Sequence, residues 1–276
     1  MKEKVVKFGT HVYWKYPFLR PYMAFIHRTF FIKPKFSGWG MKTEAELPWD
    51  DEYSGEIFLK ANEDIKKIFE FTQIPTGPNR NNIDVLMWRH WIVSYATRHA
   101  IEFAKSKDFN FVECGVGDGL TTFFALREIV AHKKTTSQLS MHLYDSWSAM
   151  RKEGLFESEL NYVGRYGNLD INRTKRNLTE FKEGIVYHQG YIPQAFHLPP
   201  DPPNSIVYLS IDLNSAQPTL DTLHFFFPRL ARGGIILFDD YGQVGYVDTR
   251  KTIDKFFSDK PGILLKLPTS QAIYYR

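Results

Sequence analysis

From residue 109 onward, short apolar runs alternate with segments in which apolar residues recur every three or four positions. The runs predict strands at 109–113, 141–145, 185–189, 205–212 and 234–239. Between them the periodicity predicts helices at about 120–132, 170–182 and 217–231, with another at 248–258. Short β-rich runs separated by helices imply βαβ crossovers and hence a mostly parallel, doubly wound α/β sheet. Two further runs, 263–267 and 272–275, flank Pro268-Thr269-Ser270 and predict a terminal hairpin. That makes seven strands, with an antiparallel edge at the C-terminal end.

Upstream, two helical patterns are expected at about 54–72 and 83–106. The second carries Val85, Leu86, Trp88, Ile92, Tyr95, Ala96, His99 and Phe103 at helical spacing. Residues 37–53 have turn chemistry and read as a linker. The expected organisation is an arm and linker over 1–53, a helical lid or substrate region over 54–107, and the α/β body over 108–276.

Composition changes this picture in three ways. First, 276 residues with 43% hydrophobic and 24% charged content are enough for a large core, which excludes a disordered chain. Second, the net charge of +4 is unevenly placed: residues 1–36 hold eight Lys/Arg and one acid, so they carry +7 and leave −3 on the remainder. The body is therefore not expected to bind nucleic acid. The arm interleaves its cations with Tyr13, Trp14, Tyr16, Phe18, Tyr22, Phe25, Phe30 and Phe31. Such a segment suits peripheral contact with an anionic membrane surface, or packing on the body or on a second copy in a homo-oligomer. Third, the single cysteine, Cys114, excludes an intrachain disulfide framework, and no apolar run is long enough to span a bilayer. The expected location is cytoplasmic, with the membrane periphery as the variant that the arm suggests.

Ligands of open α/β sheets sit beyond the carboxyl ends of the strands, so those ends carry the chemistry. The first reads Glu113-Cys114-Gly115-Val116-Gly117-Asp118-Gly119. Its glycines permit a tight turn and close backbone approach to a ligand. Leu120 occupies the third glycine position of a dinucleotide fingerprint, and no Gly-Lys-Ser/Thr occurs. The turn therefore suits a ligand with an amino acid and a ribose better than one with a pyrophosphate. The second strand ends at Asp145-Ser146, where a carboxylate is placed to accept ribose hydroxyls. The third ends at Gln189-Gly190-Tyr191, beside which a flat base would lie. The fourth and fifth end at Asp212-Leu-Asn214 and Asp239-Asp240-Tyr241-Gly242, and these acids could converge on a hard divalent cation. His188, His224 and the Arg89-His90-Trp91 segment, the last as a wall for an acceptor, are further candidates.

Over about residues 83–276 the chain resembles class I S-adenosylmethionine-dependent methyltransferases, and within them the macrocin O-methyltransferase group. The most specific match runs from Asp212-Leu-Asn-Ser-Ala-Gln-Pro-Thr219 to Gly233-Gly234-Ile-Ile-Leu-Phe-Asp239-Asp240-Tyr241-Gly242. Asn214 departs from it, standing where these proteins often have a second Asp. The resemblance implies a Rossmann-like fold, S-adenosylmethionine held by Glu113, Gly115, Gly117 and Asp145, and Mg2+ or another hard divalent cation held by Asp212, Asp239 and Asp240. Ser146, Gln189, Gly190 and Asp212 complete the expected cofactor contacts, and Asp212 is also the implied general base. The implied acceptor is a hydroxyl of a sugar, glycosylated metabolite or glycan. Two alternatives keep the fold: a hydroxylase-like enzyme, and a non-catalytic membrane-peripheral binding protein.

Overall fold

The computed structural model describes residues 46–72, 77–132 and 139–276. The chain divides into two compact units, Met1–Leu47 and Pro48–Arg276. The basic aromatic arm and its expected membrane or subunit contacts lie outside the described residues. Among the described residues, no helix is long and apolar enough to cross a membrane.

The second unit is built on one seven-stranded sheet: β1 (Phe109–Cys114), β2 (Leu139–Asp145), β3 (Ile185–Gln189), β4 (Ile206–Ile211), β5 (Leu230–Phe238), β6 (Ile263–Lys266) and β7 (Ala272–Tyr275), in the order β3-β2-β1-β4-β5-β7-β6. The first five strands pair in parallel, and β7 runs antiparallel between β5 and β6. This is the expected Rossmann-like sheet with its antiparallel edge. Every residue of β4 is buried, because helices cover both faces of a central parallel strand.

One face carries α1 (Glu52–Ile68), α2 (Met87–Phe103) and α3 (Leu120–His132). Its aromatic residues form a packed layer: Trp49, Phe58, Trp91 and Phe124 meet in edge-on, tilted or stacked pairs at centroid separations of 5.3–6.1 Å. The other face carries α5 (Ala216–Phe226) and α6 (Val247–Phe257), which bury Leu223, Phe226, Ile253 and Phe257. In α6 the buried residues Thr249, Ile253 and Phe257 follow one another at four-residue spacing, the mark of a single apolar stripe.

Four expected helices are shorter in the structure: the one over 54–72 is α1, which ends at Ile68, and the one over 83–106 is α2, preceded by a 3-10 turn at Ile83–Leu86. The helix expected over 170–182 is α4 (Ile171–Asn177) followed by a 3-10 segment, Thr179–Gly184. The Asp170 side chain caps its start by accepting from Asn172 N at 2.9 Å. At its end the Asn177 amide donates to the carbonyls of Glu70 and Asp118, both at 2.9 Å, and so pins the chain away from continued helix. The helix expected over 217–231 stops at Phe226, because Pro228 falls in the following 3-10 turn and Leu230 already pairs with Ile206.

The chain runs from β1 outward to β3, then returns to the other side of β1 for β4 and β5. That reversal places the crevice of the sheet between the carboxyl ends of β1 and β4.

Candidate active site

Main-chain bonds extend the sheet beyond the crevice and lock four strand ends together. Gly115 N donates to Tyr144 O and Asp212 N to Cys114 O, each at 2.9 Å, and Asp239 N donates to Ile211 O at 3.0 Å. Gly115 has φ +86, and a Cβ there would stand 1.9 Å from the Asp212 carbonyl oxygen. Only glycine lets the turn after β1 pass over the end of β4 at that distance.

Asp145 shapes this turn. Its Oδ2 accepts from Val116 N at 2.7 Å and Gly117 N at 2.9 Å, and its Oδ1 accepts from Trp147 N at 2.7 Å. Burial raises its carboxyl pKa, opposed by these three backbone donors. Trp147 closes the turn from the far side, its indole donating to Gly117 O at 3.0 Å and Thr174 Oγ1 at 2.9 Å. The carboxylate expected to face a ribose thus also organises the loop, leaving its remaining lone pairs for a ligand.

Glu113 lies beneath the turn. It is 1% exposed, and its Oε2 accepts from Thr122 Oγ1 of α3 at 2.7 Å. Burial pushes its pKa up to about 8, with Asp212 and Asp145 adding repulsion. It is then mostly protonated at neutral pH. A carboxyl raised in the fold contributes stability that is complete below its ordinary value of 4.5 and is lost as pH rises toward 8. Glu113→Gln, a permanently neutral isostere, is therefore expected to gain thermal stability relative to wild type between about pH 5 and pH 8. A difference in Tm that stays flat across that range in chelator would show Glu113 to be ionised.

Of the remaining expected cofactor contacts, Gly190 N donates to Asp145 O at 2.9 Å, so the β3 end joins the same rim. Gln189 is exposed there, and half-buried Ser146 donates to Ser148 O at 3.3 Å.

The acids of β4 and β5 do converge. One carboxylate oxygen from each of Asp212, Asp239 and Asp240 lies within 4.8 Å of the others. Asp239 and Asp240 are buried, and Asp240 Oδ2 has no hydrogen-bond partner. Burial drives the Asp240 carboxyl well above its usual range, with Asp212 adding like-charge repulsion; burial also raises Asp212, opposed by Arg89. Three oxygen donors with one buried orphan fit a hard divalent cation.

Asn214 orients Asp212. Its Nδ2 donates to Asp212 Oδ1 at 3.0 Å, while its own Oδ1 accepts from Tyr166 Oη at 2.9 Å and Tyr246 Oη at 2.5 Å. Two hydroxyl donors on the amide oxygen turn the NH2 toward the carboxylate, a polarity that Asp at this position would not have.

Arg89 enters the cluster from α2. Its guanidinium pairs with Asp239 Oδ2 and approaches Asp239 O at 3.4 Å. Its neighbours in the expected acceptor wall turn inward: His90 stacks on Phe124 at 4.5 Å and Trp91 packs against Phe58. His188 is a core residue, stacked on Tyr144 at 4.0 Å, and exposed His224 meets Phe256 edge-on. Sequence reasoning missed Trp147, Tyr166, Tyr246 and Gln271, the last donating to Asp239 Oδ1 at 3.0 Å. The tryptophan stands two residues after Asp145, where the resembled family has Phe, and its hydrogen bonds to Gly117 and Thr174 come only with the fold. The two tyrosines and Gln271 lie in stretches without periodicity and meet the site only through the fold.

Residues 112–241 match a protein-family model described as a methyltransferase domain. No curated sequence matches the chain. Among solved structures, the chain is similar to the O-methyltransferase NovP, at 16% identity over 81% of this chain and 98% of that one, with a TM-score of 0.63. It is also similar to the calicheamicin methyltransferase CalS11, at 15% identity over 87% and 98% of the two chains, with a TM-score of 0.57. At these identities the likeness is one of fold. The segment that builds the glycine turn and the converging acids, residues 112–241, matches a methyltransferase domain, and the sheet that carries it has the Rossmann-like fold of these methyltransferase structures.

Proposed function

We propose that this chain transfers a methyl group from S-adenosylmethionine to a hydroxyl of a sugar, glycosylated metabolite or glycan, with Asp212 as general base and a hard divalent cation assisting. The observation that carries the reading is the crossing of the glycine turn over Asp212. The same contact that shapes the cofactor turn, Gly115 against the Asp212 carbonyl, puts a carboxylate beside it. S-adenosylmethionine would supply an electrophilic methyl group on a sulfonium. The residues expected to hold it are Gly115, Gly117, Asp145, Ser146, Gln189 and Gly190, with Glu113 acting from beneath as a neutral support.

Methyl transfer to oxygen needs an aligned nucleophile relieved of its proton. Asn214 holds one oxygen of Asp212, which orients the other for the acceptor proton. A divalent cation held by Asp212, Asp239 and Asp240 would polarise the acceptor hydroxyl as a Lewis acid. The sugar class rests on the resemblance of residues 83–276 to the macrocin O-methyltransferase group. Helix α2, which sends Arg89 to the strand ends, would form the acceptor-side wall.

Calorimetric titration with S-adenosylmethionine, with and without Mg2+, tests the cofactor assignment. Binding in both conditions is expected, and no binding in either would overturn it. Methyl transfer to a panel of glycosides is expected to fall by at least about tenfold in chelator. Full turnover in chelator would remove the metal from the reading, and donor binding without methyl release from any hydroxylated acceptor would favour a non-catalytic role.

A further inference from the structure

The cation site implied by the three acids already has a cation beside it. Arg89 and Asp239 are 150 residues apart in sequence, and the guanidinium reaches the strand ends from α2, which packs on β4 and β5. Its contact is with Asp239 Oδ2, while Gln271 Nε2 bonds the other oxygen, Oδ1, at 3.0 Å. Both oxygens of Asp239 are thus engaged, whereas the neighbouring Asp240 Oδ2 is buried without a partner. The side chains are only 24% exposed for Arg89 and 12% for Asp239, so the pair is largely shielded from water.

Three carboxylates packed this closely repel one another, and buried charge must be paired or neutralised. The chain meets part of that requirement with a guanidinium, which is always charged and reaches a carboxylate with several donors. A divalent ion would meet the same requirement with more charge and would need an oxygen from each acid. The oxygen of Asp239 nearest to the guanidinium cannot serve both at full strength.

We propose that Arg89 is the resident counter-cation of the Asp212, Asp239 and Asp240 cluster, and that a divalent metal must displace its guanidinium from Asp239 to bind. The inference rests on the metal clause of the proposed function. Two consequences follow. Metal affinity is lowered by the fraction of molecules in which Arg89 holds the site, and the cluster keeps its structural neutralisation when no metal is bound. Loading the metal then frees a guanidinium on the acceptor-side helix.

The test is calorimetric titration of the full chain with Mn2+, without cofactor, in wild type, Arg89→Gln and Arg89→Lys, together with Tm in chelator and in Mn2+. Arg89→Gln is expected to bind Mn2+ at least about tenfold more tightly than wild type. It should also melt lower in chelator and gain more from Mn2+ than wild type does. Arg89→Lys keeps a charge but loses the planar fork, so its affinity should fall between the two; if the glutamine variant does not fold, this ordering against wild type carries the test. Asp240→Asn should abolish Mn2+ binding in every background. Equal or weaker Mn2+ binding in the Arg89 variants would overturn the competition while leaving the metal reading intact. No Mn2+ binding in wild type or in any Arg89 variant would overturn both.

Discussion

Asp212→Asn is expected to reduce methyl transfer by about 10²–10⁴ while leaving S-adenosylmethionine affinity within about threefold of wild type. The substitution keeps the size of the side chain and the main-chain bond from Asp212 N to Cys114 O, so the glycine turn above it is preserved. It also keeps an oxygen to accept from Asn214 Nδ2. What it removes is the ability to take a proton, together with one of the three carboxyl groups of the acid cluster. Donor-binding calorimetry and single-turnover transfer from a labelled donor separate the two effects. Transfer within threefold of wild type would exclude Asp212 as the base and direct attention to Asp239 and Asp240.

Gly115→Ala should show the opposite split, with donor binding lost and the fold weakened. The backbone there has φ +86, which costs a residue with a Cβ about 1–3 kcal/mol. That Cβ would also lie 1.9 Å from the Asp212 carbonyl oxygen and 2.6 Å from its carbon, backbone atoms that the bond from Asp212 N to Cys114 O holds in place. Either β1 or β4 must shift, and the turn and Asp212 move apart. Gly154 supplies the control: its φ is +82, but nothing lies within 4 Å of its Cβ position. Gly154→Ala is expected to show the conformational cost alone, seen as a drop in Tm of about 2–4 °C per kcal/mol with donor binding retained. Equal effects at the two positions would mean that the close crossing contributes nothing.

The balance between these two variants reflects how the site is made. The glycine turn depends on backbone, which glycine and hydrogen bonds to Asp145 arrange. The acid cluster depends on side chains brought in from β4, β5, α2 and the hairpin before β7. Substitutions in the first should disturb binding and folding together, and substitutions in the second should spare the fold wherever charge and shape are kept.

Much of this was legible in the order of residues. Alternating apolar runs and helical periods locate all seven strands to within a few residues, because each strand and helix must bury its own apolar stripe whatever its neighbours are. The β5 start is the largest departure: the Leu230-Ala231-Arg232 stretch looks helical by itself, and pairing with Ile206 draws Leu230 into the sheet. The strand ends are legible for the same reason. Once the strands are known, Glu113, Asp145, Asp212 and Asp239-Asp240 must lie at one edge of a parallel sheet.

What each of those acids does was decided only by tertiary structure. Glu113 and Asp145 both end strands, yet one is sealed under α3 by Thr122 and the other turns back to bind the amides of Val116 and Gly117. Their local sequences do not distinguish these outcomes, since burial and hydrogen-bond geometry depend on helices and turns that are distant along the chain. Arg89 is the clearest case. In the sequence it is part of a candidate acceptor wall on an aromatic helix; in the fold its guanidinium pairs with one acid of the three-carboxylate cluster, because the packing of α2 against β4 and β5 carries it there. Periodicity in a sequence records which face of an element is buried. The partner that a polar side chain finds across the crevice is recorded only in the packing.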